Sequence, residues 1–224
     1  MKKKYYVFEL EATSFILNFM SIIIFIVFCL LTVLLVPSII NLDFNFALYM
    51  TSMILYFIFH EVLHSIAYTI HGGDFKRIVY GVKLESGVLY CLCKQNISKK
   101  CILYATMYPL IFIGILTYII GIIFNFPLLI FLSICNLSGC IGDIFTFIFI
   151  KKLKDDIEFT EMDNPLYFAI YADYDVSKIK TSGIKFVEVR DDVERKDLKK
   201  ITISKPSYFI IGLLVFMILI YLFL

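Results

Sequence analysis

Charged side chains are scarce in this chain, and two long stretches have none. Charged residues make up 18% of the 224 residues, and neither residues 12–42 nor residues 101–142 include one. Soluble domains average about 25% charged and about 45–50% apolar residues, whereas this chain is 60% hydrophobic. The composition therefore excludes an ordinary soluble domain and predicts an integral membrane protein.

Histidine is also rare, and its placement is informative. The chain has 3 histidines, and two of them form His60-Glu61-Val62-Leu63-His64. Four residues apart on a helix, two imidazoles project from one face and can reach one metal ion, with Glu61 beside them as a general base. Tyrosine aside, these three side chains are the only ionisable ones between residues 45 and 70. Ionisable groups at bilayer depth are costly and are normally retained for function.

A catalytic zinc usually has three protein ligands and an open position for water. Asp143 is the natural third ligand by depth. At about 1.5 Å per residue from the expected helix ends, His60, His64 and Asp143 lie roughly 15, 9 and 10.5 Å inside the membrane. The alternatives are that Asp74 or Glu85 supplies the third ligand, or that Asp143 is a protonated carboxyl hydrogen-bonded between helices.

Asn136 lies seven residues before Asp143, on the same helix face. It either contacts substrate, supports a metal-binding side chain by a hydrogen bond, or joins two helices. The plainer alternative for the whole motif is that two histidines and a carboxylate satisfy one another inside a helix bundle.

The apolar runs predict an all-α polytopic membrane protein with about five transmembrane helices. The expected spans are residues 15–36, 46–70, 102–123, 128–150 and 207–224, and the first four form a core over 15–150. The first run is too long for a signal peptide and has no cleavage site. Residues 1–14 are a polar tail, 71–101 a loop, and 151–205 a polar region.

Two segments outside the spans have the composition of strands. Residues 77–84 and 87–94 predict a β-hairpin on the membrane face, with an irregular loop as the alternative. Residues 167–171 and 184–189 have the pattern of short strands.

Basic residues are concentrated in the N-terminal tail, in the 71–100 loop and in the 151–205 region. With five spans, these segments all fall on one side, which the positive-inside rule makes cytoplasmic. The N-terminus is then cytoplasmic and the metal site lies near the cytoplasmic leaflet.

Cysteine usage indicates reduced thiols and no disulfide framework. Three of the 6 cysteines fall in or beside apolar spans, and the others flank the lysine-rich loop. Cys91-Leu92-Cys93 is a weak metal signal because it has no second pair. No role for Cys91, Cys93 or Cys101 follows from the sequence.

The His-Glu-x-x-His motif, the Gly-rich segment after it, Tyr90-Cys91, Pro109 and residues 136–143 together resemble the bacterial membrane family known as "putative zincin peptidase". The resemblance covers about residues 45–175. More distantly, the same arrangement is similar to site-2-type intramembrane zinc proteases. In those enzymes the third ligand is an aspartate usually followed by glycine, whereas here Gly142 precedes Asp143. The resemblance implies a bacterial cell membrane location, zinc on His60, His64 and Asp143, and Glu61 as base.

The expected function is that of a membrane-embedded zinc metallopeptidase, with Zn²⁺ as cofactor. Its expected partners are a membrane protein or peptide substrate and the lipid bilayer, and no nucleic acid. A small metal or solute transporter is the first alternative, because polar groups at one depth also mark ion pathways. A zinc-binding scaffold without catalysis is the second.

Overall fold

The computed structural model describes residues 3–11, 15–37, 45–83 and 88–191. Its helices are α1 (Phe15–Leu35), α2 (Phe46–Ile70), α3 (Lys99–Pro109), α4 (Thr117–Ile123), α5 (Pro127–Gly139) and α6 (Ile141–Lys151). A 3-10 turn (Phe75–Arg77) follows α2, and a π-helical segment (Leu110–Leu116) joins α3 to α4. The strands are β1 (Lys4–Leu10), β2 (Ile78–Lys83), β3 (Val88–Cys93), β4 (Ile97–Ser98), β5 (Glu158–Glu161), β6 (Tyr167–Ala172) and β7 (Ile184–Arg190).

The expectation of an all-α fold is wrong, because a five-stranded antiparallel sheet accompanies the helices. Its strand order is β4-β5-β6-β1-β7, so the N-terminal segment, expected to be a tail, lies between two strands from the polar region. Residues 5–8 of β1 are buried tyrosine, valine and phenylalanine, the aromatic and β-branched types that strands favour. The protein is therefore a mixed structure of helices and antiparallel strands.

The expected spans within residues 15–150 fall on helices, with four ends that differ by one to three residues and one bend. Within the described residues, three helices are long and apolar enough to cross a membrane: residues 16–35, 46–70 and 99–123. The expected span 128–150 is instead two helices, α5 and α6, bent by 45° at Cys140, and they make a fourth candidate if counted as one. The expected helix 207–224 lies outside the described residues.

The sheet packs directly against α2 and α6, the helices that carry His60, His64 and Asp143. Phe8 of β1 has its ring 4.7 Å from that of Phe149 on α6. One buried cluster joins these residues to Phe168 of β6, to Ala67 of α2 and to Ala105 of α3. The sheet thereby braces α2, α3 and α6 from one end.

The predicted hairpin is present as β2 and β3, which pair antiparallel from Ile78↔Cys93 to Lys83↔Val88. The strands expected at 167–171 and 184–189 are also present, as β6 and β7. The backbone N–H of Lys94 donates to Arg77 O, so every second residue back along β3 also directs its N–H toward β2. Cys91 and Cys93 occupy the alternate positions, so their N–H groups point away from β2.

Candidate metal centre

Helix α2 presents His60 and His64 to a common point. The two Nε2 atoms lie 3.0 Å apart, and the rings are nearly perpendicular, at 71°. This convergence follows from their spacing of four residues, which puts both side chains on one helix face. His64 is buried, with 8% of its surface exposed, so its polar atoms need partners inside the protein.

Asp143 reaches the same point from α6. Its Oδ2 lies 3.3 Å from Nε2 of His60, and its Oδ1 lies 3.6 Å from Nε2 of His64. The bend at Cys140 starts a new helix, and Asp143 sits in its first turn. The structure therefore brings together His60, His64 and Asp143, which were expected to lie at similar depths.

The outer nitrogens of both imidazoles face hydrogen-bond acceptors. His64 Nδ1 lies 2.9 Å from the backbone oxygen of Ala105, which can only accept. His60 Nδ1 lies 2.8 Å from Oδ1 of Asn136. The amide of Asn136 is oriented by its other end, because Nδ2 donates to Pro109 O at 3.1 Å. When neutral, each ring would carry its proton on Nδ1 and direct its Nε2 lone pair inward.

The groups that converge at the centre are consequently all acceptors. Two imidazole lone pairs and a carboxylate repel one another unless a proton or a metal cation lies between them. Two nitrogens and one carboxylate oxygen are a donor set of catalytic zinc sites. The residues present thus fit a zinc ion, with His60, His64 and Asp143 as the residues that would hold it.

Cys140 lies close to this centre but on the far side of the His60 ring. Its Sγ is 4.0 Å from Nδ1 of His60 and 3.5 Å from Nδ2 of Asn136. The ligand atoms of His60, Cys140 and Asp143 can be chosen within 4.8 Å of one another. However, the two nitrogens of the His60 ring point in different directions, so they cannot both face one metal ion. Cys140 lies on the Nδ1 side, where its thiol contacts the Asn136 amide instead.

Glu61 lies beside the histidines and is held by β3. The ligand atoms of His60, Glu61 and His64 lie within 4.8 Å of one another. The Glu61 carboxylate accepts a hydrogen bond from the backbone N–H of Cys91. That contact places the outward edge of β3 along the helix carrying the His-Glu-x-x-His motif.

A second carboxylate, which the sequence analysis did not single out, closes the same edge of β3. Glu161 of β5 accepts from the backbone N–H of Cys93 and, at 2.9 Å, from the Tyr68 hydroxyl of α2. Burial raises the pKa of Glu161 from its ordinary value of 4.5 to about 7. The neighbouring ion pair of Lys94 with Asp163, at 2.8 Å, ties β3 to the residues after β5.

The other acidic candidates lie elsewhere. Asp74 caps the 3-10 turn, accepting from Lys76 N at 2.9 Å, and is exposed. Glu85 is outside the described residues. All 6 cysteines are free thiols. Among the described residues, neither Cys91 nor Cys93 belongs to a group with metal-ligand spacing.

Sequence reasoning also missed Ala105 and the part played by Pro109. A backbone carbonyl leaves no trace in residue identity, so Ala105 could not be singled out. Proline inside an apolar span is the available signal, because it leaves the carbonyl four residues earlier without its helical partner.

Residues 53–157 match the model of the family described as "Putative zincin peptidase". This match confirms the resemblance seen in the sequence, and it contains the motif of α2, Asn136 and Asp143. The family description indicates a zinc-dependent peptidase. No curated protein and no solved structure matches the chain significantly.

Proposed function

We propose that the protein is a zinc metallopeptidase embedded in the membrane, with its centre at His60, His64 and Asp143. The observation that carries the proposal is the convergence of two Nε2 lone pairs and a carboxylate, with both Nδ1 atoms held by acceptors. Tautomers fixed in this way are typical of histidines that bind metal. The "zincin" description of residues 53–157 supports the same class.

Zinc, when bound, supplies a Lewis acid that makes water nucleophilic near neutral pH and polarises a peptide carbonyl. Glu61 accepts the proton of the attacking water on its carboxylate and delivers it to the leaving amine. The N–H of Cys91 holds that carboxylate in place. Glu61 is therefore the catalytic residue, and Asn136 and Ala105 keep the two imidazoles in register.

The proposed substrate is a peptide segment in or near the membrane. A transmembrane substrate satisfies its backbone as a helix, so it must unwind before cleavage. The outward edge of β3 runs beside Glu61, and its Cys91 and Cys93 N–H groups are bonded to the carboxylates of Glu61 and Glu161.

The proposed setting is a bacterial cell membrane, with the basic segments and the centre toward the cytoplasm. Three helices of suitable length and composition support membrane insertion. The distribution of Lys and Arg supports the orientation.

Glu61→Gln is the variant that separates an enzyme from a scaffold or transporter. It keeps the size of the side chain and removes the base, so bound zinc should stay near wild-type stoichiometry while cleavage is lost. New protein N-termini in membranes expressing wild type should be missing in membranes expressing Glu61→Gln. Glu188→Gln is the matched control, because Glu188 is partly exposed and pairs with the nearby Arg190.

Equal sets of new N-termini from wild type and Glu61→Gln would exclude the proposed mechanism. A wild-type protein that purifies without zinc and does not take it up would exclude the metal centre itself.

A further inference from the structure

The helical run from Lys99 to Ile123 is continuous, and Pro109 lies inside it. In an α-helix the N–H of residue 109 would bond to the carbonyl of residue 105. Proline has no N–H, so this bond cannot form and the oxygen of Ala105 is released. That oxygen lies 2.9 Å from Nδ1 of His64.

The carbonyl of Pro109 is used as well. It accepts a hydrogen bond from Nδ2 of Asn136 at 3.1 Å, which turns Oδ1 of Asn136 toward His60. Directly after Pro109 the backbone becomes π-helical over Leu110–Leu116. Such segments are rare and often occur at functional sites.

We propose that Pro109 is a positioning residue for the metal centre, because the carbonyls of Ala105 and Pro109 fix the tautomers of His64 and His60. A membrane-spanning helix tolerates proline where neighbouring groups satisfy the freed carbonyl, and here His64 does so for Ala105. The Ala105 carbonyl is free to accept from His64 because Pro109 has no N–H. The Asn136 amide faces His60 because its other end donates to the Pro109 carbonyl.

The role in metal binding rests on the proposed function, whereas the tautomers are a property of the metal-free protein. They can be read by nitrogen NMR of histidine-labelled protein with the imidazoles neutral. The protein has only 3 histidines, and His71→Gln identifies the signals of the third. In wild type, both His60 and His64 should carry their proton on Nδ1.

In Pro109→Ala the new N–H of residue 109 competes for the oxygen of Ala105. His64 should then show a substantial population protonated on Nε2, and zinc affinity should fall about tenfold, within the range for lost supporting contacts. Pro127→Ala is the matched control, since Pro127 is the first residue of α5, where an N–H has no helical acceptor. It should change neither the tautomers nor zinc binding.

The proposal is overturned if wild-type His64 is protonated on Nε2, a result that requires no variant to fold. It is also overturned if Pro109→Ala folds, keeps the wild-type tautomers and binds zinc as wild type does. Wild-type protein with both Nδ1 tautomers but no zinc binding would support the positioning role while the proposed function fails.

Discussion

Asp143 Oδ2 lies 3.3 Å from Nε2 of His60, although the two residues belong to α6 and α2. Counting residues back from the C-terminal ends of the two helices gives similar depths for the two side chains. The position of Asp143 within its apolar run therefore places its carboxylate at the level of the His60 ring.

Asp143→Asn should lower zinc affinity by about two orders of magnitude, because a neutral amide replaces the only carboxylate among the three proposed ligands. Isothermal titration of metal-free protein with zinc measures the change. Asp74→Asn is the control, since Asp74 is an exposed cap. If Asp143→Asn titrates like wild type while Asp74→Asn does not, the third ligand has been assigned wrongly.

Gly114→Ala tests how closely the π-helical segment must approach α5. A Cβ at Gly114 would lie 2.8 Å from Cδ2 of the buried Leu137 and 3.3 Å from Nδ2 of Asn136. Overpacking of this kind typically costs about 1–3 kcal/mol. Because Asn136 must shift, Gly114→Ala should lower both the thermal unfolding midpoint and zinc affinity.

Gly121→Ala is the matched variant for that experiment. Its Cβ would lie 2.7 Å from Cγ1 of Ile130 and 3.1 Å from the Ile130 backbone nitrogen, in the same helix pair but away from the histidines. It should lower the unfolding midpoint and leave zinc affinity unchanged. If both variants reduce zinc affinity equally, the effect is one of stability and Asn136 has no special part in it.

The features that could be predicted from sequence share a local physical cause. Helix bounds follow from uninterrupted apolar runs, and α2 has the expected ends at Phe46 and Ile70. The positions of His60, Glu61 and His64 follow from the helical repeat. Asp143 follows from the cost of a charge in an apolar run.

The features that could not be predicted depend on contacts between distant parts of the chain. Strand β1 pairs with β6 and β7, more than a hundred residues away. Because lysines precede it, this segment was expected to be a polar tail. The bend at Cys140 could not be predicted, because no proline and no side-chain capping hydrogen bond mark the start of α6 there. Glu161 is one of five acidic residues between positions 155 and 163, and only the position of β5 places it against Cys93 and Tyr68.

The proposed orientation predicts which positions an impermeant thiol reagent can reach in intact cells. In a background lacking the native cysteines, Lys178→Cys should be shielded, because residue 178 is exposed and lies in the basic region that the proposed orientation makes cytoplasmic. Asp43→Cys, in a connector outside the described residues, should react. Permeabilised cells supply the control, since both positions should then react. Equal labelling in intact cells would contradict the topology.

Glu161 makes a prediction about pH. Its folded pKa, about 7, lies above the ordinary value of 4.5, because the enclosed carboxyl is poorly solvated. The folded state therefore binds the proton more tightly than the unfolded state. The stability from this group is fully present below pH 4.5 and is lost as the pH rises through 7. The whole change is at most about 3 kcal/mol.

Glu161→Gln should remove this pH dependence, because glutamine mimics the protonated carboxyl at every pH. The unfolding midpoint of wild type in detergent should fall between pH 4.5 and 7, the two pKa values of this group, whereas that of Glu161→Gln should change much less. Asp175→Asn is the control of opposite sign. Hydrogen bonds from Ser177 hold the pKa of Asp175 below 3.8, so replacing it should not alter this window. A wild-type midpoint that rises across the window, or a slope that Glu161→Gln leaves intact, would show that Glu161 stays ionised between β3 and α2.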